Sequence, residues 1–322
     1  MGTQREPVDP RRATPHLGGM QQSTTDLDRA LGFAIPSRSA RGRVVRLGPA
    51  LDSVLAAHAY PPAIEALLAE ALTLAALIGS TLKDPSGQLT MQTRTENGVV
   101  RLLVCDYRGG EVRGYIDYDA DKFAEMPEKP TLFALFGQGY LAITFDLATT
   151  GERYQGIVPL DGDTLAQAAE SYFVQSEQIP SLVSVGIARD GEGHTVAGGL
   201  FLQHLPEGEV GRERLHTRLD HPEWEHVEAL GRTMGVDELA DPALPLETLV
   251  WRLFNEEEEV RALASTPLSR GCRCTGDYIA SVLAKFTPEE RREMADENGL
   301  IQVDCAFCAT KFPIPADAAA VA

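Results

Sequence analysis

A chain that carries Cys272-Arg273-Cys274 and, after 30 intervening residues, Cys305-Ala306-Phe307-Cys308 must bend its C-terminal end until two short loops face each other, if these sulfurs are to share one ion. Four soft thiolates in two close pairs can close a tetrahedral shell. They leave no open position for water or substrate, the pattern of a non-catalytic zinc site. The only other cysteine, Cys105, stands far away in a strand-like run and is expected to be a buried core residue. Cysteines so few and so clustered speak for metal binding or redox chemistry in a reducing compartment, and against a disulfide framework.

Three chemistries fit such a cluster. A permanently structural zinc ribbon is the bland one. A redox switch is favoured by Cys-x-Cys, because a disulfide across so short a loop is strained and easily reduced again. Arg270, Arg273 and Lys311 also place positive charge near the thiolates. A thioredoxin-like oxidoreductase would need Cys305 to Cys308 at a helix N-terminus within a βαβ unit, whereas Lys311-Phe-Pro-Ile-Pro follows the pair.

Ahead of the cysteines, strands follow strands with helices between the groups, which implies an α+β fold with an antiparallel sheet and not a doubly wound parallel one. Pro61 and Pro62 open a buried helix in which Ile64, Leu67, Leu68, Ala71, Ala75, Ile78 and Leu82 recur at helical spacing. Leu89 to Thr93, Val99 to Tyr107 and Glu111 to Tyr118 read as a meander turned at Asn97-Gly98 and Gly109-Gly110. Tyr140 to Leu147 pairs with Arg153 to Leu160. Asp163 is expected to cap a helix carrying Leu165, Ala168, Ala169, Tyr172 and Phe173, and a last hairpin joins Ser181 to Arg189 with Thr195 to Leu205. Beyond Pro206 the strand signals stop. Residues 220 to 265 hold 12 acids against 3 Lys or Arg, a net of −9, with apolar anchors at Trp224, Val227, Leu230, Leu246, Leu249, Leu253 and Phe254. Self-repulsion predicts a weakly folded helical segment there. Between the cysteine pairs, Glu289 to Asn298 reads as a helix stopped by Gly299, and Leu300 to Val303 as a strand delivering the second pair.

The domain organisation expected from these shifts is a disordered tail over 1–30, an α+β domain over 31–217, an acidic helical linker over 218–265 and a small zinc domain over 266–322. The whole-chain net charge of −18 argues against nucleic acid and anionic lipid as partners. The apolar run Ala66 to Gly79 is too short for a membrane span, and the polar, Pro-rich N-terminus with Glu6 and Asp9 is neither a secretory signal nor a transit peptide. A cytoplasmic protein is expected.

With this spacing, the chain resembles the redox-regulated bacterial holdases of the heat-shock protein thirty-three family. The resemblance also rests on Leu132-Phe-Ala-Leu-Phe-Gly-Gln-Gly139, Gly151-Glu-Arg-Tyr-Gln-Gly-Ile-Val-Pro-Leu160, Tyr172-Phe-Val-Gln-Ser-Glu-Gln178 and Arg252-Leu-Phe-Asn-Glu256, and it runs from about Val44 to Phe312. It implies a chaperone without ATP use or enzyme activity that binds unfolding client proteins under oxidative stress. One zinc ion would sit on Cys272, Cys274, Cys305 and Cys308 in the reduced form. Disulfides Cys272–Cys274 and Cys305–Cys308 would form on activation, with zinc loss, homodimer formation and hand-over of clients to ATP-dependent foldases. The tail is longer than the family pattern, and the client-binding residues are not identified by the resemblance. The rival reading is a constitutive zinc-ribbon interaction or regulatory protein. Gly137-Gln138-Gly139 lacks the rest of a nucleotide loop, and His194, His204, His216, His221 and His226 show no ligand spacing to the cysteines, which makes them surface or linker histidines.

Overall fold

The computed structural model of the chain describes residues 26–205 and 220–317. Its element order is β1 (Arg29–Ile35), β2 (Ala40–Leu47), α1 (Pro49–Leu55), α2 (Pro62–Gly79), β3 (Gln88–Thr95), β4 (Val100–Arg108), β5 (Glu111–Tyr118), α3 (Ala120–Ala124), α4 (Leu132–Phe136), β6 (Gly139–Leu147), β7 (Glu152–Pro159), α5 (Leu165–Tyr172), β8 (Ser181–Arg189) and β9 (Thr195–His204). Then come α6 (Pro222–Gly231), α7 (Val236–Ala240), α8 (Leu246–Phe254), the short strands β10 (Arg261–Ala262), β11 (Thr266–Pro267) and β12 (Ser269–Arg270), α9 (Gly276–Leu283), α10 (Pro288–Met294), β13 (Leu300–Asp304) and β14 (Lys311–Pro315). The α+β class expected from the sequence is the class observed.

Two six-stranded sheets carry the architecture. One runs β10-β1-β2-β9-β8 with β11 also on β1; the other runs β12-β5-β4-β3-β6-β7. Helix α2 lies between them and packs on strands of both. Pro62 pre-sets its first turn, and its side chains are buried on nearly every face, which is why its apolar pattern is almost continuous. By length and composition it would suffice to cross a membrane, yet 72% of it is buried in the protein, as befits a core helix.

The first sheet is apolar on both faces. Ala30, Val45, Leu47, Val183, Ala197 and Phe201 face the α2 core, while their neighbours Leu31, Val44, Leu182, Leu200 and Leu202, with Phe33 and Ile35, face a second core. That alternation is the period-two pleat read twice. The second core is completed by Trp224, Val227, Leu239, Leu246, Leu249, Val250, Leu253 and Phe254, all from the acidic segment. The weakly folded segment expected from its charge is therefore, in this structure, three helices docked on the sheet. Its acids are offset where they meet the sheet: Arg38 reaches Glu223 at 2.5 Å and Glu257 at 2.7 Å, and Arg29 reaches Glu247 at 2.5 Å. The buried Arg46 donates to the carbonyls of Leu239, Leu244 and Glu238. At Gly186 and Gly198 a Cβ would lie 1.9 Å from the carbonyl oxygens of Val236 and Leu239, so only glycine lets the α7 backbone rest on the sheet.

Other expectations shift locally. Arg29 and Ala30, assigned to the tail, already belong to β1, and the rest of that tail up to residue 25 lies outside the described residues. Thr164, not Asp163, caps α5 by accepting from Gln167 N. The helix then widens into a π turn, Phe173–Glu177. Strands do not stop at Pro206: β10, β11 and β12 add to sheet edges, pieces of only two residues that carry no periodic signal.

Candidate metal centre

Past Arg270 the chain builds a small lobe whose core is Leu283, Ile301, Ile314 and Ala316. Thr275 caps α9 through Tyr278 N, and Thr287 with Glu290 forms a capping box on α10, which ends at Met294, earlier than the Asn298 expected. Helix α9 was not anticipated, although Ile279, Val282, Leu283 and Phe286 recur at helical spacing along and just beyond it. Gly299, at φ 77°, serves the turn into β13, and β13 pairs with β14 from Leu300↔Pro315 to Asp304↔Lys311. The second cysteine pair sits in the turn of this hairpin, with Ala309 N bonded to Cys305 O at 2.8 Å.

The structure brings Cys272, Cys274, Cys305 and Cys308 together: their sulfurs all lie within 4.8 Å of one another, each residue half-buried. Cys272 Sγ is 3.2 Å from Cys274 Sγ and 3.6 Å from Cys305 Sγ, and Cys274 Sγ is 3.3 Å from Cys308 Sγ. A tetrahedral shell with metal–sulfur bonds of about 2.3 Å has sulfur–sulfur edges near 3.8 Å, so the cluster is close to the size a metal ion requires. No other such grouping occurs among the described residues. All five cysteines are thiols, and Cys105 is buried in β4 with its thiol pushed well up by burial and then by Asp106, as a core residue should be.

Burial and the neighbouring groups set the acidity of Cys274, Cys305 and Cys308. Burial raises Cys274, and the sulfurs of Cys272, Cys308 and Cys305 raise it further. Burial likewise raises Cys305 despite the backbone N–H groups of Cys308 and Phe307. Burial also pushes Cys308 up, but Thr310, whose Oγ1 lies 3.2 Å away, its backbone and the neighbouring sulfurs outweigh that and bring it down to about 6. One thiolate is readily available and the next ones are opposed by it. A cation at the centre is what lets all four ionise together.

The comparisons agree with this geometry. A sequence profile described as Hsp33 protein matches residues 28–315. The chain is 43% identical over 288 residues to the 33 kDa chaperonin of Caulobacter vibrioides (strain NA1000 / CB15N), covering 87% of this chain and 92% of that protein. The chain belongs to the Hsp33 family. The 33 kDa chaperonin of Pseudomonas fluorescens (strain Pf0-1) is 34% identical, over 89% of this chain and 90% of that one. The fold is also that of the crystal structure of the 33 kDa chaperonin (heat shock protein 33 homolog) from Thermotoga maritima, at TM-score 0.72 and 24% identity over 90% of this chain and 96% of that chain. Membership places this chain among chaperones, whose partners are unfolded client proteins.

In this Hsp33 family member two of the residues between the cysteines, Arg273 and Phe307, reach the second sheet and hold the lobe on it. Arg273 Nη1 donates to Gln88 Oε1 at 2.7 Å and its Nη2 lies 4.0 Å from Asp106. Phe307 meets Tyr115 edge to face at 5.0 Å and lies under the Arg113 guanidinium at 4.0 Å, while Arg113 is itself paired with Asp106 at 2.6 Å. The charge of Arg273 thus serves Asp106 and Gln88, a correction to its expected service to the thiolates. No local spacing announces Gln88, Asp106, Arg113 or Tyr115 as partners of the cysteine loops.

The histidines stand as the sequence implies, with one exception. His194 lies in the β8–β9 turn beside Asp190, His221 caps α6, and His226 Nε2 is 2.7 Å from Glu257. His204 is instead fully buried, its ring stacked near Trp224 at 6.1 Å. His216 lies outside the described residues. Gly137, at φ 59°, belongs to a turn ending α4.

Proposed function

We propose that this chain is a redox-regulated holdase that prevents aggregation of unfolding proteins under oxidative stress without ATP, and that its metal is zinc on Cys272, Cys274, Cys305 and Cys308. The observation that carries the reading is a four-sulfur cluster in a lobe whose own core is four side chains, docked on the domain it would control. Zinc, when bound, keeps four thiolates in one shell and ties the two cysteine loops together. Each cysteine pair gives up two electrons to an oxidant such as hydrogen peroxide and forms one S–S bond, two waters being the reduced product. The expected bonds are Cys272–Cys274 and Cys305–Cys308.

Once its sulfurs are withdrawn, the 266–322 domain lacks the tie that offsets its ordering cost of roughly 1–2 kcal/mol per residue. The 218–265 linker then loses its neighbour, and its crowded carboxylates favour expansion. What it uncovers is the apolar face of the first sheet at Leu31, Phe33, Val44, Leu182 and Leu200, together with its own Trp224, Leu249 and Phe254. These surfaces, large and contiguous, suit unfolded clients. Trp251 is 65% exposed while docked and needs no such release. The reading belongs to a reducing bacterial cytoplasm, with oxidised homodimers and hand-over to ATP-dependent foldases as its further expectations.

Light scattering of a thermally unfolding client tests it. The peroxide-treated, warmed protein should suppress aggregation with no nucleotide, and the reduced protein should not. Equal suppression by both, with metal retained through peroxide and heat, would favour the constitutive zinc-ribbon reading.

A further inference from the structure

The edge of the second sheet is closed by the residues that lead into the cysteine cluster. In a strand, the N–H and C=O of one residue point the same way and alternate along the chain, so Gly110, Val112, Gly114 and Ile116 turn theirs outward from β5. The carbonyl of Gly110 accepts from Ser269 N, and that of Val112 from Gly271 N, each at 3.0 Å. Farther along, the Tyr60 hydroxyl accepts from Ile116 N at 2.9 Å and donates to Ile116 O at 2.8 Å. One end of the edge is therefore guarded by the domain itself. The other is guarded by a two-residue strand, β12, in parallel register with Glu111 and Val112.

That guard is coupled to the sulfurs by adjacency. Gly271 precedes Cys272 directly, Arg273 separates Cys272 from Cys274, and Phe307 lies between Cys305 and Cys308. All three reach the second sheet, through Val112, through Gln88 and Asp106, and through Arg113 and Tyr115. Any rearrangement of either cysteine pair pulls on the same patch. Behind it β5 stays rigid, because Val112 and Ile116 are buried in the α2 core.

We propose that the 110–114 edge of β5 is a concealed strand-addition site, closed by residues 269–271 in the thiol form and opened on oxidation to take up an extended segment of unfolding polypeptide. The inference rests on the oxidative release of the C-terminal domain proposed above, and it adds a site on the second sheet, separate from the first-sheet face that the linker covers. The present occupant is held through its main chain, and main-chain recognition is indifferent to side-chain sequence. An uncovered edge with free N–H and C=O groups is a template for another strand. Clients that share unfolding and no sequence are the partners such chemistry accepts.

Hydrogen exchange on the intact chain tests it in three states: reduced, oxidised, and oxidised with carboxymethylated α-lactalbumin as a permanently unfolded probe. Oxidation should speed exchange at the Val112 amide at least about tenfold, while Glu111 and Arg113, paired inward to β4, stay protected. Adding the probe should slow Val112 again. Val112→Pro removes the outward N–H at an edge position where proline is tolerated, and Val112→Ala loses more of the buried side chain than the proline variant does but keeps the N–H. Oxidised Val112→Pro should hold client at least about fivefold less well than oxidised Val112→Ala. Aggregation suppression with no slowing of Val112 by the probe, or with the two variants equal, overturns the edge site and leaves the holdase reading intact. An edge that stays protected on oxidation, or that is reprotected without probe in proportion to protein concentration, also overturns it, the latter in favour of a second copy. An oxidised chain that binds no unfolded polypeptide takes both readings down.

Discussion

The α2 core and the C-terminal lobe solve the same problem with different means. Around α2, two sheets and a helix buried on nearly every side exclude water from Leu68, Leu72, Leu74, Leu77, Met91, Leu103 and Ile143, all at 0% exposure. In the lobe, the buried set is Leu283, Ile301, Ile314 and Ala316, none fully excluded from solvent. Burying such side chains contributes roughly 1.5–3 kcal/mol each, so the lobe's apolar core is too small to hold its fold alone. The difference teaches where control can reside. A region whose stability comes from many contacts responds to no single chemical event, whereas one tied through four sulfurs, as proposed above, would respond to the state of the sulfurs.

The strongest way to break this contrast is Cys308→Ser. It should abolish tight metal binding and, with structural zinc worth on the order of 10–16 kcal/mol in small peptides, melt the lobe. Hydrogen exchange should show protection lost over 276–315 and kept over β3 to β9; a lobe that stays protected would mean its own core suffices. Next in size, Trp224→Ala should cost about 3–5 kcal/mol in the second core and let the linker leave with zinc and thiols intact. The check is client holding by the reduced variant alongside its zinc content. Leu72→Ala, in α2, should cost about 2–5 kcal/mol of domain stability in urea unfolding without altering zinc affinity. A change in metal affinity there would show that the two regions are not independent.

Smaller effects sharpen the boundary between the regions. Phe307→Ala removes the Tyr115 and Arg113 contacts, worth about 1–2 kcal/mol, and should speed peroxide-driven zinc loss while leaving the zinc stoichiometry at one. The smallest is a pH effect. Burial pushes the Glu257 carboxyl up, but Arg38 and His226 outweigh it and hold it below its ordinary value. A carboxyl depressed in the folded state stabilises fully above its unfolded pKa of about 4.3, and that contribution is lost as pH falls through the lower folded value. Linker docking, followed by Trp224 fluorescence, should weaken in that acid window, and Glu257→Gln should flatten the dependence.

The contrast also explains what could be read from residues alone. Features with a regular local spacing were legible: the helix from Pro62, the strand pairs and the two cysteine pairs. The docking of the acidic segment was not, since its charge argues for expansion, while the Arg29 and Arg38 that pair with its acids lie 185 to 219 residues earlier in the chain, and Arg46 holds its backbone carbonyls. The same holds for Arg273 and Phe307, which look like fillers between cysteines until Asp106 and Arg113 are seen against them. Two-residue strands such as β12 are invisible to any pattern.

The seat of α7 on Gly186 and Gly198 carries a consequence for inheritance. Because the helix backbone touches the sheet where those residues have no side chain, one added methyl group would press on a carbonyl and not on a yielding side chain. A Gly198→Ala allele would then look conservative, lie far from every sulfur in the sequence, and still shift the resting protein toward its open form. On the holdase reading, its effect would persist beside a normal gene copy supplied in trans, since an always-sticky chain would occupy clients whatever the other copy does.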